Sequence, residues 1–280
     1  MLLPEPTMPW PVGWVLDTVA DPEDPRLHPF RDLTDMDLRR RIEPERGFFI
    51  AEGRLVIERV ARAGHAIDAV LTAPRWLPVL AEDLPYYAGP VLVASREVID
   101  AIAGYRVHRG ALAVVRRPRA RDVPEVADAP GHLVLLEDLV DPTNVGLAFR
   151  SAAALGIAGI VLSPRCADPL YRRAVKTSMG AVLDLPWARS GDWATDLSRM
   201  RGFGVSVIAL TPHPEAEDLE AALAARECAR VALLVGTEGE GLSAGALGAS
   251  ERLARIPMSG GIDSLNVAAA VAVACYALTR

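Results

Sequence analysis

Apolar runs alternate with segments of helical spacing throughout the second half of the chain. The strand candidates are His132–Glu137, Gly159–Leu162, Ala181–Leu185, Val205–Leu210, Val231–Val235 and Arg252–Ile256. Helical stretches lie between them, among them Val145–Leu155 and Leu219–Arg226. Strands that alternate with helices in this way are typical of a parallel sheet covered by helices. The pattern therefore predicts an α/β domain over residues 131–280.

The first half also has a mixed α/β pattern, with a less regular rhythm. Strands are expected at Gly47–Ala51, Ile67–Leu71, Val91–Ala94 and Gly110–Val115, and a helix is expected near Arg96–Ala103. Residues from Leu55 to Ala63 recur at helical spacing, and Gly64 suits the left-handed position that follows many helices. These patterns predict a second, smaller α/β domain over residues 28–117.

Two proline-rich segments border these domains. Residues 1–27 are acidic and carry few signals for regular structure, which predicts an N-terminal arm or a disordered tail. Residues 118–130 (PRARDVPEVADAP) are polar and lack periodicity, which predicts a linker between the domains.

Composition places the chain among globular proteins. It has 280 residues, of which 51% are hydrophobic and 24% are charged. The longest uncharged apolar run, Val267–Leu278, is too short to span a bilayer, so no membrane partner is expected. The N-terminus lacks the basic and then apolar segments of a signal peptide. The three cysteines are odd in number and widely spaced, which favours reduced structural thiols and a cytoplasmic location.

Charge is distributed unevenly along the chain. The net charge of −6 argues mildly against a nucleic-acid partner, but residues 28–120 carry +3, whereas residues 1–27 carry −4 and residues 121–280 carry −5. Lys176 is the single lysine, and all other basic side chains are arginines. Arginine forks suit phosphate contacts, although most clusters of charge are solvated surface.

Three motifs follow strand-like runs in the second half. They are DPTNVGLAFR at 141–150, GTEGEGL at 236–242, and a segment from Ile256-Pro257-Met258 through Ser264-Leu265-Asn266-Val267. Glycines directly after a strand allow the backbone to approach a ligand closely. The residues also allow purely structural interpretations. Thr143 or Asn144 can cap a helix that ends at Gly156, and Ser264 suits the N-cap of a helix from Leu265. An amide at Asn266, in the first turn of an apolar helix, needs a polar partner.

In order and spacing, the three motifs resemble those of the SpoU–TrmH class of the SPOUT superfamily, which are RNA 2′-O-ribose methyltransferases. The resemblance covers residues 131–280. It implies S-adenosylmethionine as the cofactor and rRNA or tRNA as the substrate. It also implies a doubly wound sheet whose C-terminal segment forms a deep trefoil knot. Members of this class are typically homodimers paired through the knot, to which the Val267–Leu278 helix would contribute. In the first half, Gly47–Gly53 and Arg109–Val114 resemble the small ribosomal-protein-like domain that binds RNA in this class.

The resemblance assigns roles to individual residues. The class motif N-x-G-x-x-x-R is filled by Asn144, Gly146 and Arg150. The acceptor side of the site is implied to contain Arg150, Asn144, Glu238, Ser264 and Asn266. Contacts to the cofactor are implied for Gly236, Ile256 and Leu265 through their backbones, together with Thr237 and Gly241.

Two of these roles carry alternatives. The arginine of the class positions or activates the ribose hydroxyl, but a guanidinium stays protonated, so clamping of a phosphate suits Arg150 at least as well as proton abstraction. Glu238 is interpreted as a carboxylate that orders the site rather than as a base.

Other enzyme classes fit less well. Gly241–Gly245 matches the G-x-S-x-G elbow of α/β-hydrolases, but that class requires a histidine after the serine, and the last histidine is His213. Lys176 and Thr177 lack the preceding glycines of a P-loop, which argues against a P-loop NTPase. No G-x-G follows the first strand of the second domain, as a methyltransferase of the common Rossmann type would require. The scattered histidines predict no metal site. A catalytically inactive RNA-binding homologue remains the alternative. The motifs leave open which RNA and which nucleotide is methylated, and whether the role is housekeeping or antibiotic resistance.

Overall fold

A computed structural model of the protein describes residues 9–107, 110–237, 239–259 and 264–280. The chain forms two compact units. The first contains Met1–Pro118 and Leu170–Gly180, and the second contains Arg119–Pro169 and Ala181–Arg280. The chain therefore leaves the first unit, returns to it for a short segment and leaves it again.

The helices and strands are bounded as follows. Up to residue 130 they are β1 (Trp14–Val19), α1 (Met36–Glu45), β2 (Phe48–Glu52), α2 (Arg54–Arg62), β3 (Ile67–Thr72), α3 (Leu77–Asp83), β4 (Gly89–Ala94), α4 (Arg96–Ala103), β5 (Ala111–Arg116) and α5 (Val123–Ala127). After it they are β6 (Leu133–Leu136), α6 (Pro142–Ala154), β7 (Gly159–Leu162), α7 (Arg172–Thr177), α8 (Ala181–Asp184), β8 (Trp187–Arg189), α9 (Trp193–Arg199), β9 (Val205–Leu210), β10 (Glu217–Asp218), α10 (Leu219–Ala224), β11 (Arg230–Val235), α11 (Ala244–Ala249), β12 (Arg252–Arg255) and α12 (Val267–Leu278). Short 3-10 helices cover Pro25–Phe30, Pro74–Trp76 and Met200–Phe203.

The first unit is built on a mixed five-stranded sheet. Its strand order is β1-β4-β3-β5-β2, in which β1, β4 and β3 are parallel and β5 runs antiparallel to β3 and β2. The four strands expected from the sequence are confirmed to within a few residues, as are the two helices. Gly64 follows α2 with a φ of +75°, as its position predicted. Arg109 of the second N-terminal match lies outside the described residues.

The expectation of an unstructured N-terminal arm is wrong for residues 14–30. Strand β1 pairs with β4, and Trp14 and Val19 are buried. The 3-10 helix that follows buries Leu27 and Phe30 completely. A few apolar side chains are enough to anchor this acidic segment, because each one enters a core that the rest of the unit supplies.

Helix α1 escaped sequence analysis because it has no apolar stripe. Asp35 caps it by accepting a hydrogen bond from the Leu38 amide at 2.9 Å. The side chains that this helix buries are Arg39 and Glu43, which form an ion pair at 2.7 Å with 1% and 2% exposure. A buried pair of opposite charges four residues apart balances the two charges but leaves no hydrophobic period to detect.

Helix α7 lies in the first unit although it follows β7 in the chain. The Glu52 carboxylate at the end of β2 is 1% exposed and pairs with both Arg172 and Lys176, the latter at 2.5 Å. The Tyr105 hydroxyl donates to the same carboxylate at 2.9 Å. Burial alone would raise the pKa of Glu52, but its two basic partners hold that pKa below its usual value. The expected division into residues 28–117 and 131–280 therefore does not describe the first unit, which also needs residues 170–180.

The second unit contains a parallel seven-stranded sheet. Its strand order is β10-β12-β9-β11-β6-β7-β8, and every recorded strand pairing in it is parallel. Strands β7 and β8 follow β6 in order toward one edge of the sheet, and β9 lies on the other side of β6. Strand β11 afterwards occupies the position between β6 and β9, and β12 occupies the position between β9 and β10. This confirms the α/β class and the parallel sheet predicted from the alternation.

The segment expected as a linker, 118–130, is not a free linker, because all of it after Pro118 is part of the second unit. Helix α5 begins in a capping box of Asp122 and Glu125, and it buries Val123 and Val126 in the core. The Arg230 guanidinium donates to backbone carbonyls of the neighbouring segment, those of Ala127, Ala129 and Gly131. The prolines and charges that suggested a linker instead begin a short helix and hold it against the sheet.

Residues 181–185, expected as a strand, form the short helix α8. The strand at this edge comes later, at Trp187–Arg189, where it pairs with β7. Ala181 and Val182 are buried, and a short buried apolar run has no period that separates helix from strand. The prediction of a strand at residues 181–185 is therefore wrong, although a strand follows shortly after, at Trp187–Arg189.

Helix α12 keeps one apolar face exposed. Val271, Ala274 and Cys275 are buried, whereas Val273 is 42% exposed and Tyr276 is 52% exposed. Ala269 is also exposed, at helical spacing from both. The helix predicted at 267–278 is confirmed, and the apolar face left open is the surface stripe of Ala269, Val273 and Tyr276.

Candidate active site

The three motifs meet at one edge of the seven-stranded sheet. They follow β6, β11 and β12, which all run in the same direction, so their carboxyl ends lie at the same edge. Strands β6 and β11 are direct neighbours, and only β9 separates β11 from β12. Crevices at the carboxyl ends of parallel strands, where the order of the strands reverses, are the usual ligand sites of open α/β sheets.

The first motif forms the start of α6. Asp141 caps the helix by accepting a hydrogen bond from the Thr143 amide at 2.7 Å, and Pro142 occupies the first helical position. The cap is therefore Asp141 and not Thr143 or Asn144. Asn144 is half-buried in the first turn, so its amide is available for a contact outside its own helix.

The first and third motifs are joined by a pair of amides. The Asn266 Nδ2 atom donates to Asn144 Oδ1 at 3.2 Å. Asn266 is also the N-cap of α12, since its Oδ1 accepts from the Ala268 amide at 3.0 Å. The expectation that Ser264 caps this helix is wrong, because the helix begins two residues later, at Val267. One side chain thus caps α12 and binds the first turn of α6.

Arg150 lies in the third turn of α6 and is exposed. Within the described residues no hydrogen bond or ion pair is recorded for its guanidinium. Gly146 lies one turn earlier on the same face and is buried. The side chain of Arg150 is therefore an exposed positive charge without a partner among the described residues.

The second motif forms a tight loop that begins at Gly236. A Cβ atom on Gly236 would lie 2.4 Å from the Gly241 carbonyl oxygen, so this position requires glycine. The Gly241 amide donates to the Thr237 carbonyl at 3.1 Å, and Gly239 and Gly241 have φ values of +98° and +70°. Both positive-φ glycines face open space where a side chain would project. Glu238 lies outside the described residues.

The third motif follows β12. Ile256 is half-buried, whereas Ser264 and Leu265 are exposed just before α12. Gly260 and Gly261 lie outside the described residues. The structure thus brings Asn144 and Asn266 into contact, and it places Gly236, Thr237, Gly241, Ile256, Ser264 and Leu265 on the loops at the same edge.

Glu137 is a site residue that sequence reasoning missed. It directly follows β6, is 3% exposed and accepts three hydrogen bonds. The donors are the Ser243 amide, the Ser243 hydroxyl and the Trp193 indole N–H, each at 2.8 Å. A carboxylate directly after four buried apolar residues was the available signal, because a charge at such a place requires partners.

The neighbouring Asp138 forms a second polar cluster. It has a φ of +56°, and its carboxylate accepts from the Ser163 hydroxyl at 2.7 Å and pairs with Arg165. The hydrogen bond from Arg165, helped by Ser163, holds the pKa of Asp138 below its usual value against the effect of burial. This pairing fixes the loop after β7 against the loop after β6.

Metal sites and membrane-spanning helices are absent from the described part of the chain. No group of histidine, cysteine and carboxylate side chains has the arrangement of a metal site. Among the same residues, no helix has the length and apolar character needed to cross a bilayer.

Comparisons with known proteins agree with this geometry. The family model described as the SpoU rRNA Methylase family matches residues 131–276. A Mycobacterium bovis protein described as an uncharacterized tRNA/rRNA methyltransferase is 43% identical over 270 residues, which are 96% of this chain and 94% of that protein. The AdoMet-bound rRNA methyltransferase of Sinorhizobium meliloti has a TM-score of 0.78 and 28% identity, covering 94% of this chain and 97% of that one.

A crystal structure described as an RNA 2′-O ribose methyltransferase has a TM-score of 0.75 and 27% identity, covering 94% of this chain and 98% of that one. The resemblance drawn from the three motifs is confirmed, and the chain belongs to the SpoU rRNA methylase family of RNA methyltransferases.

Proposed function

We propose that this protein transfers a methyl group from S-adenosylmethionine to a ribose 2′-hydroxyl in ribosomal or transfer RNA. The observation that carries the proposal is the 3.2 Å contact between Asn266 and Asn144, which joins the first and third motifs. Two amides at this edge of the sheet offer hydrogen bonds to a ribose, and Arg150, exposed on the same helix as Asn144, offers a positive charge to a phosphate.

Relatives support the ribose target. The structure described as an RNA 2′-O ribose methyltransferase covers nearly the whole chain. A Xylella fastidiosa protein described as a 23S rRNA (guanosine-2′-O-)-methyltransferase is 32% identical over 192 residues, which are 66% of this chain. Both names specify the same acceptor oxygen, and the residues of this chain that match the class motif, Asn144, Gly146 and Arg150, suit that acceptor.

The loop of the second motif fits the cofactor. Gly239 and Gly241 have positive φ and open space where a side chain would project, so an adenosine could approach the backbone of this loop closely. Gly236, Thr237 and Gly241 would hold the cofactor from this loop, and Ile256 and Leu265 from the third motif. The Sinorhizobium meliloti relative, whose structure contains AdoMet, supports this donor.

The chemistry divides between the two sides of the site. S-adenosylmethionine supplies an electrophilic methyl group when it is bound. The acceptor side must hold the ribose oxygen in line with that group, since orientation provides much of the rate enhancement in such transfers. Arg150 would clamp the acceptor phosphate, and Asn144, Ser264 and Asn266 would orient the ribose. The ribose oxygen would take the methyl group as its bond to the sulfonium breaks, which releases S-adenosylhomocysteine. The hydroxyl proton would pass to water, because an arginine is a poor acceptor for it.

Three structural features belong to this proposal. The late insertion of β11 and β12 between earlier strands supports a trefoil knot in the second unit. The exposed stripe of Ala269, Val273 and Tyr276 supports a homodimer paired through α12, because exposed apolar stripes commonly mark interfaces. The first unit has a net charge of +1 and the second a net charge of −7, a contrast that supports RNA recognition by the first unit.

Methyl transfer to total cellular RNA tests the function. Purified protein is incubated with labelled S-adenosylmethionine and RNA from cells that lack the gene, and 2′-O-methylated positions are mapped by their resistance to alkali. We expect label at a defined ribose with the wild-type protein and none with Arg150→Ala. Binding of RNA without any transfer would favour the inactive homologue, and transfer to a base would contradict the ribose target.

Recognition by the first unit is tested in the full-length protein, because truncation before residue 119 would remove the partners of α7. We expect neutral replacement of the exposed Arg41 and Arg46 to weaken RNA binding and to reduce its salt dependence, since each phosphate contact releases counterions. Unchanged affinity and salt slope would place recognition elsewhere.

A further inference from the structure

We propose that Glu137 is a positioning residue for the cofactor side of the site. It holds both ends of the loop between Val235 and Ser243. The inference deepens the proposed function and rests on it, since that loop carries Gly236, Thr237 and Gly241.

The start of the loop is held by the backbone of Glu137. Its amide donates to the Val235 carbonyl at 2.8 Å, which extends the pairing of β6 with β11 by one residue. Gly236 follows at once, so the loop leaves the sheet directly beside Glu137.

The end of the loop is held by the side chain of Glu137. Its Oε2 accepts from the Ser243 amide and its Oε1 accepts from the Ser243 hydroxyl, both at 2.8 Å. Ser243 also caps α11 through the Ala246 amide at 3.1 Å. The carboxylate therefore fixes the loop, the first turn of α11 and, through Trp193, the start of α9 relative to one another.

The chemistry of the three donors selects a carboxylate. An ionised carboxylate offers only acceptors, and here two N–H groups and one hydroxyl point at it. Glutamine has the same shape but brings two N–H donors of its own. In either amide orientation, one of its N–H groups would face the Ser243 amide or the Trp193 indole. One buried donor is then left without a partner.

A loop of this composition needs external support. Glycines lose more conformational freedom on ordering than other residues, and this loop has three, two of them with positive φ. Among its described residues, the loop is braced internally by the hydrogen bond from the Gly241 amide to the Thr237 carbonyl. Because Glu137 fixes both ends of the loop before the cofactor binds, less conformational freedom is lost on binding.

The test compares Glu137→Gln with the matched control Asp196→Asn. Asp196 is a carboxylate on α9 that accepts from the Ser190 hydroxyl at 2.6 Å and makes no recorded contact with the loop among the described residues. Amide hydrogen exchange is measured without cofactor, and affinity for S-adenosylhomocysteine is measured by calorimetry. We expect Glu137→Gln to accelerate exchange selectively between residues 236 and 243. Affinity should fall roughly tenfold to a hundredfold, the range that corresponds to one unsatisfied buried donor. Asp196→Asn should change neither.

Further variants keep the inference falsifiable. Should Glu137→Gln fail to fold, Ser243→Ala removes the hydroxyl bond to Glu137, together with the cap of α11, and keeps the amide bond. It should give a smaller acceleration of exchange within the loop, in the same direction. Trp193→Phe leaves both Ser243 bonds in place and should leave exchange in the loop near the wild-type rate. Wild-type exchange and affinity in Glu137→Gln would overturn the proposal, as would faster exchange spread evenly over the whole sheet. A wild-type protein that binds no S-adenosylhomocysteine would instead contradict the proposed function, while the exchange measurement would still decide the role of Glu137.

Discussion

Replacement of Glu52 should destabilise the first unit strongly, because three donors depend on its carboxylate. Loss of one partner of a buried ion pair costs about 3–5 kcal/mol. Lys176 is 38% exposed and regains water, so most of the loss comes from Arg172, which is 11% exposed. Arg172 keeps a 3.2 Å bond to the Leu33 carbonyl and its position over the Tyr105 ring. We therefore expect the lower end of the range, about 3 kcal/mol, for Glu52→Ala.

The assay is urea unfolding combined with amide exchange in β2 and α7. Glu52→Gln keeps one acceptor and should lose about 2 kcal/mol, since one hydrogen bond to a charged group contributes about that much. The control is Asp68→Asn, because the Asp68–Arg116 pair lies in the same unit with side chains 40% and 69% exposed. An exposed pair of this kind contributes less than about 1 kcal/mol. A loss below about 1 kcal/mol in Glu52→Ala would refute the reasoning, because a free buried Arg172 would then be harmless.

The same contact predicts a dependence on pH. The pKa of Glu52 is lowered in the folded protein, so its stabilising contribution is fully present above the unfolded value of about 4.3. That contribution is lost as the pH falls through the lower folded pKa. The difference in unfolding free energy between wild type and Glu52→Gln should therefore stay constant near neutral pH and shrink in acid. A difference that grows as the pH falls would contradict the lowered pKa assigned to Glu52 in the folded protein.

Three further outcomes are expected. Arg150→Ala should abolish methyl transfer and leave affinity for S-adenosylhomocysteine nearly unchanged, because Arg150 is assigned to the acceptor; wild-type turnover at saturating RNA would contradict this. Gly236→Ala should weaken cofactor binding, because its Cβ would lie 2.4 Å from a backbone oxygen and crowding of this kind costs about 1–3 kcal/mol. The control Gly245→Ala should be tolerated, because the nearest atom to its Cβ would be 3.9 Å away. Calorimetry of cofactor binding distinguishes the two variants. Tyr276→Glu should dissociate the proposed dimer in sedimentation experiments, whereas Ala221→Glu, on the exposed side of α10, should not. A dimer that persists in Tyr276→Glu would place the interface elsewhere.

Sequence patterns identified most of the second unit because its signals are local. Strands such as β7, β9 and β11 are short apolar runs in which nearly every residue is buried, and α12 is a continuous apolar helix with the predicted bounds. The three motifs carry fixed spacings of glycine, asparagine and arginine. Each of these features depends on residues close together in the chain, so the sequence by itself determined the fold class, the family and the identity of the motif residues.

Only the tertiary structure decided where individual polar groups find their partners. Asn266 rather than Ser264 caps α12, because the start of that helix is set by packing on α6. Glu137 obtains its donors from residues 56 and 106 positions away. Glu52 obtains its basic partners from a helix more than 100 positions later, which makes α7 part of the first unit. A charged residue in a buried position indicates that it has partners. Which residues those partners are depends on the elements that the fold brings together, and the local sequence does not show this.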